Sequence, residues 1–321
     1  MTTLMSIFYI LIGFALLIKG ADILVDGAST IAKKFHIPEL VIGLTVVSIG
    51  TSMPELFISI KSAYSGHPDM AIGNVIGSNI SNLLLILGLS SLIRPIAFKK
   101  EARFIELPMC LIFTVVFSLI CNAGENVTRQ DAAVLLTLFV LFILYTIIMT
   151  FTGEKFDKED GQQEIEDTSE KKLSTWMSLL NIIVGIIALK YGGDFVVDNA
   201  TIIAEKLGWS EKLISVTILA IGTSLPELVT SVSAAIKNES DISIGNIVGS
   251  NIFNLLLIIG VTASIKPINY NVDYNMDMNL MILASSVLVI FPFAPPKNKI
   301  SRRNGLLYLI MYGVYMFRLF V

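Results

Sequence analysis

Residues Gly50-Thr51-Ser52-Met53-Pro54-Glu55-Leu56 return 172 positions later as Gly222-Thr223-Ser224-Leu225-Pro226-Glu227-Leu228. At the same offset Gly73-Asn74-Val75-Ile76-Gly77-Ser78-Asn79-Ile80-Ser81-Asn82 returns as Gly245-Asn246-Ile247-Val248-Gly249-Ser250-Asn251-Ile252-Phe253-Asn254. The chain is therefore two copies of one unit. Each copy places a carboxylate and a helix-breaking proline inside an apolar segment. A carboxylate near the centre of a bilayer costs roughly 2.5–3.5 kcal/mol on insertion scales. Two of them at matching positions point to one shared site for a cation.

Composition places those segments in a membrane. Hydrophobic residues make up 54% and charged residues 15% of the chain, with a mean hydropathy of +0.75. Apolar runs of about 20 residues, the length that spans a hydrocarbon core, recur throughout. The lipid bilayer is the expected partner. The net charge of −3 and the absence of a basic cluster interleaved with aromatics give no support to nucleic-acid binding. The first apolar run has no basic leader and no clear cleavage site, so it is expected to remain as a first helix. Cys110 and Cys121 stand about three helical turns apart and are expected to be inert thiols.

Ten spans are predicted: 4–30, 38–63, 70–93, 103–122, 130–151, 174–204, 212–236, 242–265, 276–294 and 303–320. The segment from Thr152 to Leu173, rich in acidic and basic residues, links the halves. The domain reading is thus a first five-helix repeat (1–151), an acidic cytoplasmic linker (152–173) and a second five-helix repeat (174–321). With the N-terminus outside, inner loops hold 15 of the 23 Lys and Arg residues and outer segments hold 6. This bias predicts both termini outside a cytoplasmic membrane. An odd number of spans per copy makes the second copy enter from the opposite side. The expected fold class is an all-α membrane protein of ten transmembrane helices in two inverted five-helix repeats, an architecture in which the substrate site lies near the midplane between the halves.

Ser52-x-x-Glu55 and Ser224-x-x-Glu227 have the spacing of a helix capping box, and proline is tolerated in a first helical turn. Each motif is read as a break and restart in spans two and seven, with Gly50 and Gly222 giving freedom to turn. Freed carbonyls in a membrane are tolerated where they line a cavity or bind something. A plain cap and a metal-free proton relay between the glutamates are the competing readings. Gly73 and Gly77, like Gly245 and Gly249, lie four apart and predict close-packed helix faces. Ser78 and Asn82 share one face, as do Ser250 and Asn254. Together with the glutamates and threonines these make an all-oxygen site, which suits calcium and disfavours soft metals. Asp22, Asp26, Asp194 and Asp198 are read as polar helix ends or as an ion access route, and Asp69 and Asp241 as helix caps. No catalytic constellation or cofactor motif is present.

The paired Gly-Thr-Ser-x-Pro-Glu and Gly-Asn-x-x-Gly-Ser-Asn motifs resemble the α-repeats of the cation/calcium exchanger superfamily, and more narrowly prokaryotic sodium/calcium exchangers. The resemblance is strong over residues about 40–90 and 212–262. It implies a calcium site between helices two, three, seven and eight, with calcium-binding glutamates at Glu55 and Glu227. It implies backbone carbonyl ligands at Thr51 and Thr223. Sodium ligation would add Ser52, Ser224, Ser78, Ser250 and the carbonyl at Ala220, and the central polar positions fall on Asn82 and Asn254. The first helix of each half would slide across a static core. Many members carry an aspartate at one central position, the commonest sodium/calcium pattern where this chain has Asn254 and potassium-dependent members where it has Asn82; here both are Asn, which argues against potassium co-transport.

The resulting expectation is a secondary antiporter, not an enzyme, exchanging Ca²⁺ for Na⁺, without a cofactor and as a monomer. H⁺/Ca²⁺ antiport on the same scaffold and an intramembrane carboxylate enzyme are the alternatives. The topology is checked with Ser169→Cys, which should resist an impermeant thiol reagent added to intact cells. Labelling from outside would contradict the cytoplasmic linker.

Overall fold

The computed structural model describes residues 3–65, 69–124, 126–152, 174–209, 220–295 and 297–320. Nearly all of the expected linker, the start of the seventh span (212–219) and His67 lie outside the described residues. The long helices are α1 (Thr3–Phe35), α2 (Glu39–Thr51), α3 (Met53–Tyr64), α4 (Met70–Ile93), α5 (Ala102–Asn122) and α6 (Arg129–Thr152). They continue with α7 (Thr175–Lys206), the short α8 (Ala220–Thr223), α9 (Leu225–Ile236), α10 (Ser240–Ile265), α11 (Asn275–Ile290) and α12 (Arg302–Phe320). Among the described residues, seven helices are long and apolar enough to cross a hydrocarbon core. An eighth span results if α2 and α3 count as one broken segment.

Burial orders these helices into a centre and a rim. In their most apolar stretches α10 is 89% and α4 72% buried, whereas α1 is 28% and α7 33% buried. The central pair therefore satisfies itself against protein, and the outer pair offers its Leu, Ile and Phe side chains to lipid.

Close approach is set by missing side chains. A Cβ on Gly13 would lie 2.8 Å from the Gly192 carbonyl, one on Gly185 2.8 Å from the Gly20 carbonyl, and one on Gly27 2.7 Å from the Ser178 carbonyl. Contacts that ascend α1 thus descend α7, so the first helices of the two copies run antiparallel along a small-residue seam. A second seam joins α2 to α10: a Cβ on Gly245 would meet the Leu40 carbonyl at 2.8 Å, and one on Gly249 the Leu44 carbonyl at 2.6 Å. The expected small-residue face is thus present at Gly245 and Gly249. Gly73 faces the Tyr274 hydroxyl instead, and Gly77 has no close neighbour among the described residues.

Two short ribbons tie the ends. Ile96–Ala97 (β1) pairs antiparallel with Lys299–Ile300 (β4), and Asn126–Val127 (β2) with Ile268–Asn269 (β3). α5 separates β1 from β2 in the chain, and the 172-residue offset maps β1 onto β3 and β2 to within one residue of β4.

Charged contacts pin α1. Lys237 Nζ lies 2.7 Å from Asp26 Oδ1 and donates to the Asp22 carbonyl at 2.8 Å, while Ser233 Oγ donates to Asp22 Oδ1 at 2.8 Å. Lys33 pairs with Glu239 at 3.1 Å. In the second copy Asp194 pairs along its own helix with Lys190 at 2.8 Å. Asp241, expected as a cap, lies inside the first turn of α10 and pairs with Lys99 at 3.2 Å; Glu239 holds the N-cap position.

Gly249→Ala forces its methyl into a backbone carbonyl, an overpacking cost of about 1–3 kcal/mol. Its melting temperature in detergent should fall clearly below wild type. Gly124→Ala, whose nearest neighbour atom is 3.9 Å away, should melt as wild type does. Equal melting of the two variants would remove the α2–α10 seam as a structural determinant.

Candidate ion-binding site

The repeated motif breaks span two at Ser52. Its backbone (φ −86°, ψ 7°) leaves the helical region, and α2 and α3 meet at 47°. Ser224 repeats the conformation with φ −87° and ψ 6°. Pro54 and Pro226 occupy the first turns of α3 and α9, where a missing N–H leaves no bond unmade. The serines hold the N-cap positions without capping: neither side chain bonds the turn above it. Ser52 Oγ instead donates across the repeat boundary to Glu227 Oε1 at 2.8 Å. The capping-box spacing is present, but the hydroxyl serves the carboxylate of the other copy.

Gly50 and Gly222 also differ from expectation. Neither takes a left-handed conformation. Their missing side chains make room for Ile186 and Val197 of α7. They bring the rim helix onto the break instead of supplying a turn.

The two carboxylates are enclosed. Glu55 and Glu227 are each 1% exposed, and the charge of Glu227 acts on Glu55. Ser78 Oγ lies 3.5 Å from Glu55 Oε1, at the limit of hydrogen bonding. Thr51, Ser52, Ser78, Asn82, Ser224, Ser250 and Asn254 are likewise buried. Thr51 Oγ1 donates to Asn246 Oδ1 at 3.0 Å, and Asn246 Nδ2 donates to Ser231 Oγ at 2.9 Å. Asn74 and Ser59 repeat that second bond at 3.3 Å in the first copy. Ala220 opens the short helix α8, immediately before the second break.

Several polar atoms of the motif residues have no protein partner. Glu55 Oε2, Glu227 Oε2, Thr223 Oγ1, Ser224 Oγ, Ser250 Oγ, Asn82 Oδ1 and Asn254 Oδ1 are buried without a hydrogen-bond partner. Among the described residues fifteen buried side-chain atoms have no partner, and these seven belong to residues expected at the site; the other eight, Glu106 Oε2 among them, belong to other residues. Such groups are normally satisfied, since leaving a buried donor or acceptor unmet costs about 1–3 kcal/mol. Carboxylate, amide and hydroxyl oxygens left together can be met by a hard cation, which takes 6–8 oxygens when it is calcium. Among the described residues no three His, Cys, Asp or Glu side chains converge anywhere, so the two glutamates are the acids this site offers.

Two features escaped the sequence. Helical hydrogen bonding widens to a π turn at Ser81–Ile86 and again at Asn254–Ile258, so each central asparagine lies on an irregular turn. Such turns recur at functional sites. A second layer of amides supports the site: Asn79 Nδ2 donates to the Asn251 carbonyl at 3.2 Å, Asn82 Nδ2 to Asn251 Oδ1 at 3.0 Å, and Asn254 Nδ2 to Asn79 Oδ1 at 2.9 Å. Asn79 and Asn251 stood inside the repeated motif, but periodicity gives no sign that they meet across the copies.

Comparison with known proteins agrees with this geometry. The family model described as sodium/calcium exchanger protein matches residues 5–148 and 177–321. The inner membrane protein YrbG of Escherichia coli is 36% identical over 88% of this chain and 86% of its own. The sodium/calcium exchanger MaX1 of Methanosarcina acetivorans is 28% identical over 97% of both chains. The Ca(2+)/H(+) antiporter ChaA of Bacillus subtilis is 26% identical over 65% of this chain and 63% of its own. A solved structure of the sodium-calcium exchanger NCX_Mj, soaked with zero Na⁺ and Ca²⁺, superposes with a TM-score of 0.83 at 32% identity, covering 99% of this chain and all of that one. With its broken apolar helices, enclosed carboxylates and these matches, the chain is a multi-pass membrane protein that belongs to the sodium/calcium exchanger family.

Proposed function

We propose that this protein is a secondary antiporter that exchanges Ca²⁺ for Na⁺ across the cytoplasmic membrane by alternating access. Ions bind at a midplane all-oxygen site formed by Glu55, Glu227, Thr51, Thr223, Ser52, Ser224, Ser78, Ser250, Asn82, Asn254 and the Ala220 carbonyl. The observation that carries the reading is that two enclosed carboxylates and five further residues of the repeated motifs keep buried oxygens without a hydrogen-bond partner.

Charge explains why such a site exchanges. With both glutamates ionised and both central residues neutral, the empty site carries −2, which is costly to move through low dielectric. One Ca²⁺ or two Na⁺ cancel that charge. Loaded forms therefore cross and the empty form does not, which is the condition for antiport.

Architecture supports the rest. The antiparallel α1–α7 seam and the interchange of the two ribbons under the repeat offset fit ten helices in two inverted repeats. The poorly buried α1 and α7, bound to each other through small residues, suit a pair that slides over the enclosed α4–α10 core. The distribution of Lys and Arg favours both termini outside. Sodium is favoured as counter-ion because Thr51-Ser52 and Thr223-Ser224 place hydroxyls beside each acid, ligands that a proton does not need.

Calcium uptake into sodium-loaded vesicles at fixed pH tests the coupling. Uptake should follow the sodium gradient and collapse when sodium is equalised across the membrane, with a protonophore present throughout. Uptake driven by a pH gradient and indifferent to sodium would assign proton coupling instead.

Glu55→Gln and Glu227→Gln each remove half of the charge facing calcium. Losing one partner of a buried charged set costs roughly 3–5 kcal/mol, so calcium flux should fall more than about a hundredfold. The ion-free variants should melt no lower than wild type, because an uncompensated buried charge has been removed. Near-normal flux in either variant would sink the site assignment.

A further inference from the structure

The four amides between α4 and α10 are wired unequally. Asn79 Nδ2 is committed to the Asn251 main-chain carbonyl, so Asn79 presents an oxygen to Asn254 and receives its amide hydrogen. Exchanging the ends of the Asn79 amide would set its oxygen against that carbonyl. Asn251 presents an oxygen to Asn82, but its own Nδ2 is buried without a partner. Exchanging the ends of the Asn251 amide breaks no bond other than the one it makes to Asn82, and it offers Asn82 a donor in place of an acceptor.

Position 254 must therefore supply a donor, whereas position 82 can supply either a donor or an acceptor. Asparagine at 254 meets the demand with Nδ2 and leaves Oδ1 unpartnered beside the ion-binding oxygens. A carboxylate at 254 would set acceptor against acceptor. A carboxylate at 82 would be met by a turned Asn251.

We propose that Asn79 is a positioning residue that holds position 254 as a neutral donor and excludes a carboxylate there, while Asn251 leaves position 82 open to one. The two nearly equivalent halves of the site thus differ in the charge they accept, and the difference originates one layer behind the ion ligands. The proposal rests on the calcium-site reading.

The test is calorimetric calcium binding to the purified protein in sodium-free detergent solution, for wild type, Asn82→Asp, Asn254→Asp, Asn79→Ser and the two double variants carrying Asn79→Ser. Both aspartates add the same charge to the site, so the difference between them reads the amide layer. Asn82→Asp should bind calcium about tenfold tighter than Asn254→Asp, the scale of one hydrogen bond to a charged group. Serine at 79 has a hydroxyl proton that can turn to either neighbour. Added to Asn254→Asp it should recover most of the gap; added to Asn82→Asp it should leave affinity unchanged. A merely structural role for Asn79 would weaken both backgrounds alike. If Asn254→Asp does not fold while Asn82→Asp does, melting decides: both Asn251→Asp and Asn79→Asp add a buried charge and should melt below wild type, Asn79→Asp clearly the lower of the two because it also loses the bond to the Asn251 carbonyl. Equal affinities for the two aspartate variants, no recovery by serine, or equal melting of the outer pair overturns the lock alone. Wild type that binds no calcium overturns both the lock and the calcium reading.

Discussion

Two carboxylates at 1% exposure, placed where lipid-facing helices meet, constrain everything around them. A charge in low dielectric must be paired, hydrogen-bonded or neutralised. Among the described residues no lysine or arginine is buried. The surrounding groups are hydroxyls and amides, which share charge without cancelling it. In the proposed exchange a mobile cation would complete the site, and a site completed by a mobile ion is one that can release it. The ion pairs Lys237 with Asp26 and Lys190 with Asp194 join partly exposed side chains instead, where water shares the cost.

The helix breaks and the small-residue seams serve that requirement together. Breaking span two at Ser52 points the first turn of α3 and its Glu55 into the bundle. The same break lets Ser52 reach Glu227 in the other copy. Gly245 and Gly249 draw α10 against α2, and Gly50 draws α7 onto the break. Each glycine is used for proximity, not for backbone freedom. The seam between α1 and α7 joins two poorly buried helices by backbone contact, and in the proposed exchange these would be the unit that shifts over the enclosed centre.

Internal duplication leaves room for asymmetry in detail. The Asn-to-Ser bond behind each motif is kept in both copies, Asn74 with Ser59 and Asn246 with Ser231. The amide layer between the copies is not kept: Asn79 has both ends engaged and Asn251 has one. The acids of α1 reach across to α9, whereas Asp194 of α7 pairs along its own helix. A repeat supplies two equivalent sets of residues, and packing then differentiates them.

Much of this was legible in the chain. The recurrence at a fixed offset revealed the duplication, apolar length revealed the membrane, and an acid beside a proline inside an apolar run located the site. These signals are local, and local spacing is what a sequence preserves. Contacts between the copies were not legible. The spacing of Ser52 and Glu55 looked like a cap, yet the hydroxyl turns to Glu227. Gly50 looked like a hinge and proved to be a gap for Ile186. The π turns at Asn82 and Asn254, the glycine seam from Gly13 to Gly27 and the bonds of Asn79 and Asn251 left no periodic trace. The sequence by itself determined which groups enter the membrane. The tertiary structure decided which of them meet, because hydrogen bonds and close packing depend on the approach of segments some 172 residues apart, and no pattern within either segment encodes that approach.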